Sequence, residues 1–183
     1  MKILKVFVAI LLIISAIVLG VLFYYGFFEK IVLTEQQSGG EWVVYKEMKG
    51  DYSNAGKAME NVYNELKEKG IETTIGYGYY LDNPEEVAAE NLRSEIGCFL
   101  PEKYLDKQEE LAAASYIVRQ LPVKKCVVTK FPFKGFMSIM VGLIKVYPEY
   151  NKYTTEHNIK AEGVMEITNV PAGYTEYRMV VLE

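Results

Sequence analysis

Among the residues able to do chemistry, Glu166 has the most distinctive setting, in the alternating run GVMEITNV. With a period of two, Met165 and Ile167 share one side of that strand while Val164, Glu166 and Thr168 share the other. If the apolar pair packs under helices, Glu166 and Thr168 face the opposite way, into a groove. Register with the earlier run TIGYGYYLDNP makes Tyr79 the counterpart of Glu166, sets Tyr77 on the same groove face and turns Tyr80 to the helix side. A carboxylate flanked by tyrosine faces suits a lipophilic cation, through Coulomb attraction and cation–π contact. Two plainer roles compete: a solvated strand residue, or an ion-pair partner of Arg178 on the neighbouring strand.

The other reactive residues exclude most catalysis. Two cysteines and one histidine, Cys98, Cys126 and His157, cannot supply the roughly four N or S ligands of a structural zinc site. There is no G-x-S-x-G elbow, no H-E-x-x-H helix and no phosphate-cradling glycine loop. No metal, cofactor or catalytic set is expected. Glu166 and Tyr79 would fit general acid–base roles, but one carboxylate and one phenol are equally what a binding groove needs. Cys98 and Cys126 sit among apolar neighbours and are expected as unpaired, buried thiols. His157, near a helix end, suits the negative pole of the helix dipole. With 15 tyrosines in the chain, any single one is more often a packing residue than a ligand contact.

Charge narrows the partners. The chain of 183 residues carries 24 acidic against 20 basic side chains, a net charge of -4. Without Lys2 and Lys5 the part beyond residue 28 has a net charge of -6, with no Lys/Arg stripe, so nucleic acid is not an expected partner.

These residues need a scaffold, and its first element is an anchor. From Val6 to Phe28 the run VFVAILLIISAIVLGVLFYYGFF holds no charged residue, and as a helix it would span roughly 35 Å. The apolar run is longer than a signal-peptide core and continues through Gly20, so a retained transmembrane helix is expected over residues 1–30. Tyr24, Tyr25, Phe27 and Phe28 stand where an interfacial aromatic belt would. Lys2 and Lys5 load the N-terminal flank, whereas Glu29 and Lys30 cancel, which puts the N-terminus in the cytoplasm and the domain outside it, on the periplasmic side in a prokaryote.

Residues 31–183 read as one α+β domain in which strands and helices follow one another in the same order twice, over about 31–100 and 115–183. IVLTEQQ and WVVYKEMKG read as strands, AGKAMENVYNELKEKG as a helix stopped at Gly70, then TIGYGYYLDNP and LRSEIGCFL as strands. After a Glu/Ala-rich linker come YIVRQLP, KKCVVTKFPFKG, a long helix near FMSIMVGLIKVYPEYNKYTTEHN, then GVMEITNVP and EYRMVVLE. Asn83-Pro84 aligns with Val170-Pro171 in this duplication. Neither half could bury its helix alone, so the halves are expected to pair into one antiparallel sheet, two helices on one face and a concave groove on the other. Pro148 predicts a kink or a break in the second helix.

Taken together, IVLTEQQSGGEWVVYKEMKGDY, YYLDNPEEVAAENLRSEIG, YIVRQLPVKKCVVTKFPFKG and GVMEITNVP resemble the GyrI-like small-molecule-binding domain, the effector-binding fold of multidrug-responsive transcription activators. The most specific element is Asp82, Asn83, Pro84, Arg93 and Gly97. Within that superfamily, CVVTKFPFKGFMSIMVGLIKVYPEYNKYTTEHN followed by VMEI resembles the membrane-anchored, testis-expressed ER-turnover receptor type. The resemblance implies two strand-helix-strand-strand modules, a ligand-binding or protein-interaction role, and a glutamate at the position of Glu166 as the acidic floor of the pocket. The animal receptor recruits its machinery through a motif in an extended tail, and this sequence ends at Glu183, so an adaptor role of that kind is not expected. Residues 1–30 offer no helix-turn-helix.

The resulting expectation is a membrane-anchored domain that binds a small lipophilic or cationic ligand through Glu166, Tyr79, Tyr77 and Thr168. A protein-interaction module at the membrane surface is the alternative, and a hydrolase using Glu166 and Tyr79 a more distant one.

Overall fold

The computed structural model describes residues 2–182. Its first helix, α1 (Lys2–Tyr24), buries no side chain and is long and apolar enough to cross a membrane. The rest is a single eight-stranded antiparallel sheet with helices packed on it. In chain order come β1 (Thr34–Ser38), β2 (Trp42–Lys49), α2 (Ala55–Glu68), β3 (Ile75–Tyr80), β4 (Arg93–Phe99), α3 (Gln108–Ala113), β5 (Ile117–Gln120), β6 (Lys124–Pro132), α4 (Phe136–His157), β7 (Lys160–Asn169) and β8 (Tyr174–Leu182).

The strand order β1-β6-β8-β7-β3-β4-β2-β5 is symmetric about the β7–β3 pair. Strand, helix, strand, strand occurs once as β2-α2-β3-β4 and again as β6-α4-β7-β8. The edge strands are exchanged: β1 precedes β2 in the chain yet pairs with β6, and β5 precedes β6 yet pairs with β2.

That exchange forces the sheet to curl. β1 and β2 stand six strand spacings apart, about 29 Å in a flat sheet at 4.8 Å per strand. The three residues between them, Gly39 to Glu41, reach about 14 Å at most. The link from β5 to β6, Leu121 to Val123, is equally short, so the sheet must bend until its two ends nearly meet. The links then pair: Gly40 N–H donates to the Leu121 carbonyl and Leu121 N–H to the Glu41 carbonyl, both at 2.8 Å.

Both faces of the curled sheet are consequently covered. On the outer face α2 sets Val62 and Leu66 against Val44, Cys98 and Leu100, while α4 sets Val141, Val146 and Tyr150 against Val127, Phe131, Tyr177 and Met179. The concave face, opposite the helices, is filled by its own side chains: Val43, Tyr45, Tyr77, Tyr79, Cys126, Val128, Met165, Ile167 and Val180 form one buried cluster under Leu121. Cys98 and Cys126 are both free and buried, on different faces, as their apolar settings implied.

Pro148 neither stops nor splits α4, which runs unbroken from Phe136 to His157. Its missing N–H leaves the carbonyl of Ile144, one turn back, without its intrahelical donor. The DNP…R…G element is architectural. The Asp82 carboxylate accepts from Arg93 N–H at 2.7 Å and from its guanidinium at 2.6 to 3.2 Å, closing the 82–93 loop, and a Cβ on Gly97 would collide with the Val44 carbonyl.

Candidate functional site

The register of β7 with its neighbours fixes which way Glu166 points. Across the β3–β7 ladder Tyr77 lies opposite Ile167, Gly78 opposite Glu166 and Tyr79 opposite Met165, and residues directly opposite share a face. Glu166 therefore shares its face with Gly78, Tyr80, Thr168 and, on β8, Tyr177. This is the face that carries α2 and α4.

The expected grouping of Glu166 with Tyr77 and Tyr79 is thus corrected. Tyr77 and Tyr79 lie on the concave face in the buried core, 0% and 5% exposed. Tyr77 donates its hydroxyl to Glu95 Oε2 at 2.8 Å, and Arg119 donates to the same oxygen at 2.6 Å. The cause is an odd offset in the repeat alignment: matching Asn83-Pro84 to Val170-Pro171 shifts β3 against β7 by one residue, and a one-residue shift turns every side chain to the other face. The wholly apolar pair Met165 and Ile167 joins the buried cluster of the concave face, leaving the half-polar series Val164, Glu166, Thr168 under the helices. Of the four expected site residues the structure brings together Glu166 and Thr168, the latter sharing a 3.0 Å hydrogen bond with Thr175.

The alternative pairing of Glu166 with Arg178 is also excluded. Arg178 is on the concave face, where Nε donates to Glu176 at 2.6 Å and the guanidinium's terminal nitrogens donate to Glu41 at 2.8 and 3.2 Å.

Around Glu166 the sequence makes room and then fills it with phenols. Gly76 and Gly78, two residues apart, leave β3 bare on this face except for Tyr80 at its end, and a glycine within a strand marks a close approach by another group. Over Gly76 lies the Met59 sulfur of α2, and over Gly78 the Tyr80 ring leans back toward Glu166. From the other side α4 delivers Tyr147, whose hydroxyl donates to Glu166 Oε1 at 2.7 Å. Tyr147 also meets Tyr177 edge-on, ring centres 6.4 Å apart, and Tyr80 meets Tyr52 edge-on at 4.8 Å. The site is a carboxylate at the centre of the sheet, ringed by Tyr80, Tyr147 and Tyr177.

Its electrostatics are unusual for a half-buried carboxylate. Loss of hydration pushes the Glu166 carboxyl up from 4.5 to about 7, against the smaller opposing pull of the Tyr147 hydrogen bond. Among the described residues no basic side chain forms an ion pair with it. The Tyr80, Tyr147 and Tyr177 phenols are all raised, first by burial and then by the negative charge of Glu166, so they remain neutral donors. Tyr147 lies over the carboxylate through its bond to Oε1, and both groups are half-buried. Surface cavities of about 490 Å³, lined by Trp42, Thr73, Phe99 and their neighbours, and of about 190 Å³, between α2 and β2, lie away from Glu166.

Alternation along β3 turns Tyr80 to the helix side, as the structure has it, but nothing in the sequence groups Tyr80 with Glu166 or marks Tyr147 and Tyr177. The signal that could have found their face is the pair of alternate glycines in IGYGYY, which mark the side of β3 that must accept something bulky.

No family model matches the sequence, and no curated protein matches it. Solved structures do share the fold. The EcmrR C-terminal domain superposes with a TM-score of 0.59 at 15% identity, covering 84% of this chain and 98% of that one. EcmrR in a DNA complex gives 0.61 at 15%, over 100% of this chain and 69% of that one. SAV2435 bound to tetraphenylphosphonium gives 0.54 at 13%, over 82% and 94%. At these identities the likeness is one of fold. It agrees with the GyrI-like resemblance of the sequence, while the narrower likeness to the ER-turnover receptor type gains no support from these structures.

Proposed function

We propose that this chain is a membrane-anchored binding domain for a small lipophilic cation, received between α2 and α4 against Glu166. The observation that carries the reading is a carboxylate held among tyrosines with one phenol as its compensation and no cation of its own. Such a group is costly to the empty fold, and a bound cation would repair the deficit. Tyr80, Tyr147 and Tyr177 supply the aromatic faces a lipophilic cation needs, and Thr168 extends the polar strip along β7. Entry requires Tyr147 to swing off Glu166, which makes it the plug of the site. The SAV2435 structure, with the same fold, holds tetraphenylphosphonium, a cation of this chemical class, which supports the reading.

In this reading α1 spans the bilayer, and Lys2 and Lys5 keep its start in the cytoplasm, with the domain on the far side. The test is calorimetric titration of the detergent-solubilised full chain with tetraphenylphosphonium and with a neutral analogue of matched shape. Glu166→Gln keeps the shape and removes the charge. It should weaken the cation by up to about a hundredfold, as about 1 to 3 kcal/mol of Coulomb attraction implies, and leave the neutral analogue nearly unchanged. Equal losses for the two compounds would overturn the assignment.

A further inference from the structure

The outer side of α4 is unusually apolar for a helix at the surface. Phe136, Met140 and Ile144 recur every four residues along it, with Met137 beside them, and are 70%, 40%, 65% and 48% exposed in that order. Nothing among the described residues covers them. From Phe131 to Pro148 the sequence FPFKGFMSIMVGLIKVYP has no acidic residue and two lysines, in a domain that is otherwise net acidic.

The same part of α4 holds the end of α1. Tyr25, Ile31 and Leu33 pack into the core beneath α4, and the Phe131 ring lies against Gly26. Lys145 donates to the Phe27 carbonyl at 2.5 Å and lies 5.8 Å from the Phe27 ring, and Lys134 sits 4.5 Å over the Tyr24 ring. The end of α1 and the turn that follows it are thus clasped by the two lysines that bracket the exposed stripe. Phe27 and Phe28, themselves exposed, continue the apolar surface from α1 toward α4.

We propose that the first half of α4 rests on the bilayer that α1 crosses, with Phe136, Met137, Met140 and Ile144 in the headgroup–acyl boundary and Lys134 and Lys145 at the anionic headgroups. This rests on the reading of α1 as a membrane span. A span that ends at Tyr24 puts Phe27 and Phe28 at the interface, and whatever is fixed to those residues lies at interfacial depth. An apolar helix face flanked by lysines is the chemistry that binds there. The domain would then stand in a set orientation, with the 490 Å³ cavity near Gly40 at the opposite end of β1, away from the lipid.

The test uses the full chain in phosphatidylcholine–phosphatidylglycerol vesicles. Single cysteines at Phe136→Cys, Met140→Cys and Ile144→Cys carry an environment-sensitive nitrobenzoxadiazole label, with Lys103→Cys, beside that cavity, as the control. Cys98 and Cys126 are buried and stay unlabelled in the fold. Labels at the three stripe positions should emit to the blue of the control and be quenched by nitroxide lipids labelled at shallow depth. Carbonate extraction is run on the same vesicles. Labels as water-exposed as the control in a carbonate-resistant chain would overturn the proposal and leave the anchor standing. A chain released by carbonate would overturn the anchor and the proposal with it.

Discussion

The Tyr147 hydroxyl, on a helix, donates to Glu166 Oε1, on the central strand β7, at 2.7 Å. In the proposed reading this bond joins the group that would close the site to the group that would give it charge. It favours the ionised carboxylate, against the larger opposing effect of burial. Moving Tyr147 aside without a replacement would leave Glu166 to take up a proton, so opening the site and binding a positive charge are coupled by the chemistry of one carboxyl.

The first prediction is a pH-dependent cost of the empty site. The folded value of about 7 lies above the ordinary 4.5. Between these two pH values the folded state keeps a proton that the unfolded chain has lost. Stability is therefore highest below pH 4.5 as far as Glu166 is concerned, falls as pH rises toward 7, and is then level, by on the order of 3 kcal/mol in all. Glu166→Gln removes this dependence. Relative to the parent chain it should gain roughly 2 kcal/mol between about pH 5 and pH 8 in denaturant titrations. The paired carboxylates Asp82 and Glu35 have lowered values and act below this window. A constant difference between the two chains across that range would show that Glu166 ionises normally.

Ligand affinity should follow the same proton with the opposite sign. A cation binds the ionised carboxylate, so tetraphenylphosphonium affinity should rise about tenfold per pH unit at pH values well below about 7 and flatten above it. Tyr147→Phe deletes the donor that favours ionisation. In that variant the break in the affinity profile should move to higher pH, whereas a neutral analogue should show no break in either chain. Titration at four or five pH values measures this, and an unmoved break would mean that the Tyr147 bond does not tune Glu166.

Tyr77 belongs to the structural core and not to the ligand. Tyr77→Phe removes the 2.8 Å bond to Glu95, leaving that carboxylate to Arg119 alone. The expected cost is about 1.5 to 3 kcal/mol of stability, as for a buried bond to a charged group, with tetraphenylphosphonium affinity unchanged. Weaker binding at unchanged stability would return Tyr77 to the site.

Much of this architecture is legible in the sequence because its signals are local. Period-two runs mark β2, β3, β6 and β7, helical spacing of Met59, Val62 and Leu66 marks α2, and Gly70, with φ of +71°, marks its stop. The exchange of β1 and β5 is not legible, because an edge strand's partner is set by the curl of the whole sheet. The facing of Glu166 depended on that curl too. Once both faces are buried, alternation shows that Met165 and Glu166 point apart but not which one meets the helices. Tyr147 escaped notice for a different reason: within VYPEYNKY its neighbours Tyr150 and Tyr153 look the same, and they bond instead to backbone carbonyls and to Glu35.

The contact between Gly142 of α4 and Tyr177 of β8 yields the last prediction. Tyr177 is fully buried and its hydroxyl has no hydrogen-bond partner among the described residues. It lies where a Cβ on residue 142 would go, so glycine there is what lets α4 approach the sheet closely enough for Tyr147 to reach Glu166. Tyr177→Phe removes an unpaired buried hydroxyl at nearly constant shape and should be neutral or stabilising by up to about 1 kcal/mol. Gly142→Ala forces the helix outward and should cost about 1 to 3 kcal/mol through overpacking. It should also weaken tetraphenylphosphonium binding by displacing Tyr147. Combined, the two changes should be less damaging than their sum, since loss of the Tyr177 hydroxyl frees the volume that the alanine methyl needs. A coupling of at least about 0.5 kcal/mol in a double-mutant cycle is the expected result. Strict additivity would mean that α4 is held at its height above the sheet by something other than this contact.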